Sequence, residues 1–366
     1  MKLSKRPLIG ILRPGSIINM TLLGLYTWLF IIFLGALLIT GVIRNYSLKY
    51  SIIDIPNERS SHTHPTPRGG GLSIPVLVLI TVLFLHYLQL IPFEYTLALA
   101  GGGFLVAGIG WLDDHYNLSP VWRAASYFIA SIWAIFWLGG LETISIGNYL
   151  VSAKIVISFI IIIFIVWLTN LYNFMDGTDG LAASEAISVG LFSGILFLQI
   201  QETGLAIICF SIVATAAGFL YWNWAPAKIF MGDVGSCFIG FTFGVLALIG
   251  EKTGSLPVMI WIILLSVFIC DATFTLIKRI VRREKWYLAH RSHSYQKLVQ
   301  MNVSHSKLAT AVLGLNLLVT WPGAYIAYHW KQYALYIFLL IILLMYLIWI
   351  VIQIYYDKKM VGKISV

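Results

Sequence analysis

Charge is what this chain has least of. Only 15 acidic and 24 basic residues are spread over 366 positions, so charged side chains make up 11% of the sequence and hydrophobic ones 59%. With a mean hydropathy of +0.87, there is too little polar surface to clothe a water-soluble domain, which excludes the soluble globular and disordered classes. Cysteine is equally scarce. Cys209, Cys237 and Cys270 lie in apolar runs without paired spacing, so neither a disulfide framework nor a zinc site is indicated and the three read as small core residues. No internal repeat or low-complexity tract is evident, and no polar segment is long enough to hold a core of its own.

Long apolar runs fill the chain instead. A hydrocarbon core of about 30 Å can be crossed near residues 17–43, 72–92, 95–112, 122–140, 152–172, 181–200, 204–222, 234–250, 256–277, 306–328 and 333–356. The expectation is an all-α integral membrane protein of about 10 to 11 transmembrane helices, one polytopic domain over 1–366 with catalytic cytoplasmic loops, the larger ones at 44–71 and 278–305. If the loop after the first span is cytoplasmic, that side receives Arg44, Lys49, Arg59, Arg68, Arg123, Lys228, the set from Lys278 to Lys307, and Lys358, Lys359 and Lys363. The opposite loops offer only Lys154, Lys252 and Lys331. This is the positive-inside pattern. Lys2, Lys5, Arg6 and Arg13 break it: either the span count is off by one, or the tail is atypical, or a translation start at Met20 removes them. The formal net charge of +9 therefore reflects topology and does not call for a nucleic-acid partner. Basic loops also attract anionic lipid headgroups and phosphorylated ligands.

Because acids are few, their placement is informative. An ionised acid at the centre of a membrane helix costs about 2.5–3.5 kcal/mol even on the lenient scale. Asp54, Asp113-Asp114, Asp176, Asp179 and Asp233 all fall at or beside the cytoplasmic ends of spans, which suggests a shared cation, most simply a divalent metal carrying a phosphorylated substrate. Each cluster has a plainer reading. Asp113-Asp114 could cap the helix that begins near Pro120, although the doubled charge asks for a cation or a proton. Asn170, Asn173 and Asp176 are spaced by three and share one face if their helix continues to its end, while the Asp-Gly pairs 176-177 and 179-180 suit turns. Asp233, flanked by Gly232 and Gly235, could be no more than a helix N-cap. In the last polar loop Lys278 and Arg279 read as anchors. His290, Arg291 and His293 read as donors to phosphate or sugar, the two histidines sharing a face if that segment is helical. Glu185 and Asp271, inside apolar runs, read as interhelical partners. Two other readings stand beside a transferase: a transporter with an acid-lined path, which needs acids near the midplane, and a lipid-diphosphate phosphatase using water as acceptor.

The segments DIPNERSSH, TPRGGG, GWLDDH, NLYNFMDGTDGLA, NWAPAKIFMGDVGS and HRSHSYQ, in this order from about residue 50 to 300, resemble the polyprenyl-phosphate N-acetylhexosamine-1-phosphate transferases. The loop HRSHSYQ resembles the bacterial branch that initiates O-antigen or other surface polysaccharides, and differs from the histidine-rich loop of the peptidoglycan-precursor enzymes. The resemblance implies a multi-pass enzyme of the bacterial inner membrane with its active site facing the cytoplasm. Such an enzyme moves a sugar 1-phosphate from a UDP-N-acetylhexosamine to undecaprenyl phosphate and releases UMP with Mg2+, for which Mn2+ could substitute; homodimerisation is left open. It further implies Asp233 and Asn173 as metal ligands, Asp113 and Asp114 as catalytic groups that orient or deprotonate the lipid phosphate, and Asp176 as a third catalytic residue. Asp179 and Asn223 would contact the nucleotide, and His290, Arg291 and His293 the diphosphate and sugar. The sugar, and the choice between direct displacement and a covalent phospho-enzyme, stay open at this stage.

Overall fold

The computed structural model describes residues 22–56, 64–285 and 290–364. The tail with Lys2, Lys5, Arg6, Arg13 and Met20, and the Asn57 to His62 part of DIPNERSSH, lie outside the described residues. Among the described residues ten helices are long and apolar enough to cross a membrane: α1 (Leu23–Lys49), α2 (Gly70–Tyr87), α3 (Phe93–Tyr116), α4 (Pro120–Leu138), α5 (Lys154–Phe174), α6 (Leu181–Gln199), α7 (Thr203–Asn223), α8 (Asp233–Thr253), α12 (His305–His329) and α13 (Lys331–Lys359). Two further apolar pieces, α9 (Val258–Leu264) and α10 (Ser266–Val281), follow one another at a bend of 82°, the geometry of a broken span or of a re-entrant loop. The run at 256–277 is thus not one straight rod, because Leu265 leaves the helical region at φ −90°, ψ 7°. A short helix, α11 (Ser294–Gln300), lies in the last polar loop. The protein is an all-α, multi-pass membrane protein.

Burial is graded from the centre outward. In α8 94% of the apolar window is buried, against 17% in α1 and α13, so α8 is the axis and the outer helices present their Leu, Ile and Phe side chains to lipid. That axis is glycine-rich, which lets backbones approach closely where lipid supplies no hydrophobic drive between helices.

Helices α3, α5 and α7 end, and α4, α6 and α8 begin, at one end of the bundle. There β1 (Ile53–Asp54) pairs antiparallel with β2 (Thr66–Pro67). The chain that follows β2 runs beside the entry to α8: Gly70 N–H donates to Phe230 O at 2.9 Å, Gly71 N–H to Met231 O at 2.9 Å, and Phe230 N–H to Pro67 O at 2.8 Å. TPRGGG therefore supports the approach to Asp233, a role its composition alone did not disclose. At the far end β3 (Thr143–Ile146) and β4 (Tyr149–Ser152) form a hairpin. Buried Glu251 ties it down, accepting Ser145 N–H at 2.6 Å and Val258 N–H, at the start of α9, at 2.8 Å.

Candidate active site

Two glycines bring the first acids together. A Cβ on Gly110 would lie 2.6 Å from the Asp233 carbonyl, and Gly232, at φ +77°, lies so close to the Asp114 carboxyl that any side chain would collide with it. The end of α3 therefore meets the start of α8 backbone to backbone. Asp114, 2% exposed, accepts Asp233 N–H at 3.0 Å and Val234 N–H at 3.3 Å, one on each oxygen. The first N–H groups of a helix have no intrahelical partner, and an anion suits their dipole. Asp114 thus caps α8 from a neighbouring helix. The expected cap near Pro120 is not made by either aspartate: Ser119 holds the N-cap position of α4. Nor is Asp233 an N-cap, since Gly232 is, leaving Asp233 as the first helical residue. Asp114→Ala should cost about 2–4 kcal/mol, since two charge-assisted bonds are lost in a buried place. The thermal midpoint in detergent reads this, and an unchanged midpoint would rule the cap out.

Asp113 has another partner. Arg123, in the first turns of α4, places Nη1 3.0 Å from Asp113 Oδ2 and Nη2 3.0 Å from Asp233 Oδ2 and 3.2 Å from Asn173 Oδ1. Asn173 Nδ2 donates to Asp233 Oδ1 at 2.8 Å and to Ser236 Oγ at 3.1 Å. The second oxygen of Asp113 is buried without a hydrogen-bond partner. Arg68 closes the rim, its Nη2 3.1 Å from Asn117 Oδ1. Four elements thus deliver two carboxylates, an amide oxygen and a guanidinium to one point. Arg123 and Arg68 were not foreseen as site residues, because a basic side chain near a span end reads as an anchor.

The loop after α5 divides its residues differently from the three-residue spacing. The helix ends at Phe174, so Asp176 is beyond it, and Asn170 donates to Val166 O of its own helix at 3.0 Å. The Asp176 carboxyl makes no hydrogen bond among the described residues. Burial, followed by the negative charges of Asp233, Asp114 and Asp179, pushes it well above the usual carboxylate range. Asp179 Oδ2 accepts Ala227 N–H at 3.1 Å and lies 3.2 Å from His305 Nδ1 on α12. Asn223 accepts Gly180 N–H at 2.9 Å and donates to Ile229 O at 2.9 Å. Both side chains knit loops to one another, and His305 joins them as a contact that no local pattern announced.

The last polar loop is not a helix bearing two histidines on one face. His293 takes the N-cap position of α11 with extended backbone (φ −62°, ψ 150°), and the rings of His290 and His293 lie 4.8 Å apart. Buried Asp271 accepts Ser294 N–H at 2.8 Å and Tyr295 N–H at 3.1 Å, the same device that Asp114 provides for α8. Tyr295 Oη then donates to Phe174 O at 2.8 Å, which docks the loop one residue from Asn173. Burial lowers the His290 pKa to about 4, helped by His293 and Arg279. His293 falls to about 4 through burial, with Arg279 adding to it. Both rings are therefore neutral at pH 7, and Arg291 beside them is exposed, its guanidinium making no hydrogen bond or ion pair among the described residues.

The fold favours the neutral rings while the unfolded chain takes up protons near the ordinary value of 6.5. Their contribution to stability is therefore complete above pH 6.5 and lost as the pH falls from 6.5 toward 4. The thermal midpoint should drop over that interval, and less so in His290→Gln; superimposable profiles would remove the histidine from this titration.

No three His, Cys, Asp or Glu side chains form a metal cage among the described residues. Magnesium does not require one, since it commonly takes one or two protein oxygens and completes its shell with water and phosphate. The donor set fits it. Asp233 Oδ2 and Asn173 Oδ1 converge on a single cationic nitrogen of Arg123, and Asp113 Oδ1 beside them has no partner.

The fold and site define a multi-pass membrane protein that gathers hard oxygen donors and guanidinium groups at one end of its helix bundle. The model of glycosyl transferase family 4 matches residues 96–251, a stretch that holds Asp113, Asp114, Arg123, Asn173, Asp176, Asp179, Asn223 and Asp233 but not the histidine loop. A Bacillus subtilis (strain 168) protein named "Probable undecaprenyl-phosphate N-acetylglucosaminyl 1-phosphate transferase" is 31% identical over 284 residues, covering 74% of this chain and 76% of the relative. The undecaprenyl-phosphate alpha-N-acetylglucosaminyl 1-phosphate transferase of Yersinia pestis is 34% identical over 61% of this chain and 62% of its own length. A phospho-N-acetylmuramoyl-pentapeptide-transferase of Prochlorococcus marinus (strain MIT 9215) is 31% identical over 60% and 66%. The chain belongs to the polyprenyl-phosphate N-acetylhexosamine-1-phosphate transferases of glycosyl transferase family 4.

Proposed function

We propose that this protein transfers an N-acetylhexosamine 1-phosphate from a UDP-sugar to undecaprenyl phosphate at the cytoplasmic face of a bacterial inner membrane, opening the synthesis of a surface polysaccharide such as O-antigen. The observation that carries this reading is the convergence of Asp113, Asp233 and Asn173 oxygens on one guanidinium. Oxygens held that close need positive charge, and a diphosphate substrate arrives with a divalent cation. Asp233 and Asn173 would hold magnesium, with Mn2+ as a substitute, and the ion would supply charge neutralisation of the diphosphate and of the departing UMP.

An oxygen of the lipid phosphate attacks the sugar-linked phosphorus, the bond to the UMP oxygen breaks, and UMP leaves with the electron pair. Asp113, with one oxygen free, orients the attacking phosphate and accepts its proton when it arrives protonated. Asp114 acts through Asp233 as a positioning residue, because both its oxygens are engaged by the α8 backbone. Asp176 stands at the same mouth. Asp179 and Asn223 shape the nucleotide pocket by holding its loops, and the neutral rings of His290 and His293 offer single hydrogen bonds to the sugar. Arg291 supplies charge to the diphosphate. Direct displacement is the reading favoured, because Asp113 is paired with Arg123 and so is a weakened nucleophile.

The test is UMP release by purified protein with magnesium, undecaprenyl phosphate and a panel of UDP-N-acetylhexosamines. UMP formed only when lipid acceptor and metal are both present supports the transferase and names the sugar. Inorganic phosphate released from a lipid diphosphate, or silence across the panel from folded protein, refutes it. Arg291→Ala should raise KM for the UDP-sugar about tenfold, the worth of one charge-assisted bond, with a smaller change in kcat. An unchanged KM would return the loop to mere anchoring.

A further inference from the structure

Away from the acids, α10 and α13 leave between them a groove of about 450 Å3. Phe274, Ile277, Tyr346, Trp349 and Ile350 form its apolar walls, and Lys278 and Arg282 stand at the end where the helices leave the apolar belt. The two cations are four residues apart, one turn along the same face. Lys278 donates to Gln353 Oε1 at 2.8 Å and lies 5.6 Å from the centre of the Trp349 ring. The Arg282 guanidinium is exposed and makes no hydrogen bond or ion pair among the described residues, its backbone N–H alone donating to Lys278 O at 3.0 Å. The carboxylate that lines this end, Asp357, already faces buried Lys297 at 3.5 Å. The place is therefore positively unbalanced directly above an apolar trough open to the bilayer.

We propose that this groove binds one non-reacting anionic glycerophospholipid, its phosphate between Lys278 and Arg282 and its acyl chains along Phe274, Ile277, Tyr346 and Trp349. The charge suits a phosphate, and the apolar walls suit acyl chains over the depth of a leaflet. The reacting polyprenyl phosphate does not fit this position, because Asp113, Asn173, Asp233 and Arg123 are all absent from its lining. The site is wired to the histidine loop. Gln353, 5% exposed, accepts from both Lys278 and Lys297, the latter at 2.6 Å, and its Nε2 donates to Ser294 Oγ at 3.2 Å. Ser294 N–H is held by Asp271, and its neighbour Tyr295 holds Phe174 O beside Asn173. A phosphate that draws Lys278 away from Gln353 changes the set of the α11 anchor, so lipid occupancy tunes turnover. That consequence rests on the transferase reading; the binding does not.

The experiment titrates purified protein with phosphatidylglycerol or phosphatidylcholine and counts retained lipid by native mass spectrometry. In parallel, turnover is measured in nanodiscs of phosphatidylcholine with and without phosphatidylglycerol. Phosphatidylglycerol should be retained roughly tenfold more tightly or better, at the worth of about one tenfold step for two basic groups, and the preference should vanish in Lys278→Gln/Arg282→Gln and weaken in Arg282→Gln alone. Gln353→Leu should keep the lipid but lose the response of turnover to it. Equal retention of the two lipids, or a double variant that keeps the preference with an unchanged thermal midpoint, overturns the proposal. Displacement of the lipid by millimolar glycerol phosphate would also overturn it, in favour of a soluble phosphate. Absence of turnover in every nanodisc would fault the transferase reading, while the retention measurement still decides the groove.

Discussion

Asp233→Asn is expected to lower turnover by about a thousandfold while leaving the thermal midpoint within a few degrees of the parent. Asparagine keeps the volume of the side chain and an oxygen for the bond that Asn173 Nδ2 now makes at 2.8 Å. The α8 start stays capped because its N–H groups are held by Asp114 and not by Asp233 itself. What disappears is a negative charge where the oxygens of Asp233 and Asn173 converge. A charge that stabilises a phosphoryl-transfer transition state is worth several kcal/mol, hence the size of the effect. Turnover should not recover with excess magnesium, since the ligand and not its occupancy is changed. Near-normal activity across magnesium concentrations would remove Asp233 from the metal site and leave it as a partner of Arg123 alone.

The membrane spans were legible because run length and hydropathy are local properties, and ten of them stand close to where the apolar runs lie. The acids that meet at Arg123 were legible for a different reason. In a chain with 15 acidic residues, an Asp at a span end is conspicuous. What could not be read is which of these acids face a ligand and which hold up backbone. Asp114 and Asp271 each accept two backbone N–H groups at the start of a helix from elsewhere in the chain, and Glu251 accepts one at the start of α9 and one in β3. A cap delivered from 119 residues away leaves no spacing to recognise. Asp113 and Asp114, adjacent and alike in sequence, are separated only by geometry: one turns to Arg123, the other to α8. The break at Leu265 was equally hidden, since both halves of that span are apolar and hydropathy does not register a bend. The expected helical face shared by His290 and His293 failed because Asp271 starts α11 only at Ser294.

Arg123→Ala is expected to destabilise the metal-free protein by about 3 kcal/mol, and magnesium is expected to return part of that loss. The guanidinium neutralises Asp113 and Asp233 together at 3.0 Å each, with side chains only 10% and 19% exposed. Removing one partner of such a group leaves charge that water reaches poorly, which is the costly half of a buried ion pair. A lysine is not an adequate replacement, because one ammonium cannot reach Asp113, Asp233 and the Asn173 oxygen from the same stem, whereas the planar fork does. In the alanine variant the cavity offers the same oxygens without a resident cation. Bound magnesium should therefore raise its thermal midpoint more than it raises the parent's, in the measure that linkage demands of a ligand that binds only the folded state. In the parent, Asp233 and Asn173 would have to give up their Nη2 contacts to hold magnesium, and the guanidinium so freed would be available to the substrate phosphates. Loss of activity should accompany the variant even when magnesium has restored its stability. Separation of these two responses is the decisive observation: stability rescued without activity assigns Arg123 to the phosphates, whereas rescue of both would make it a counter-ion and nothing more.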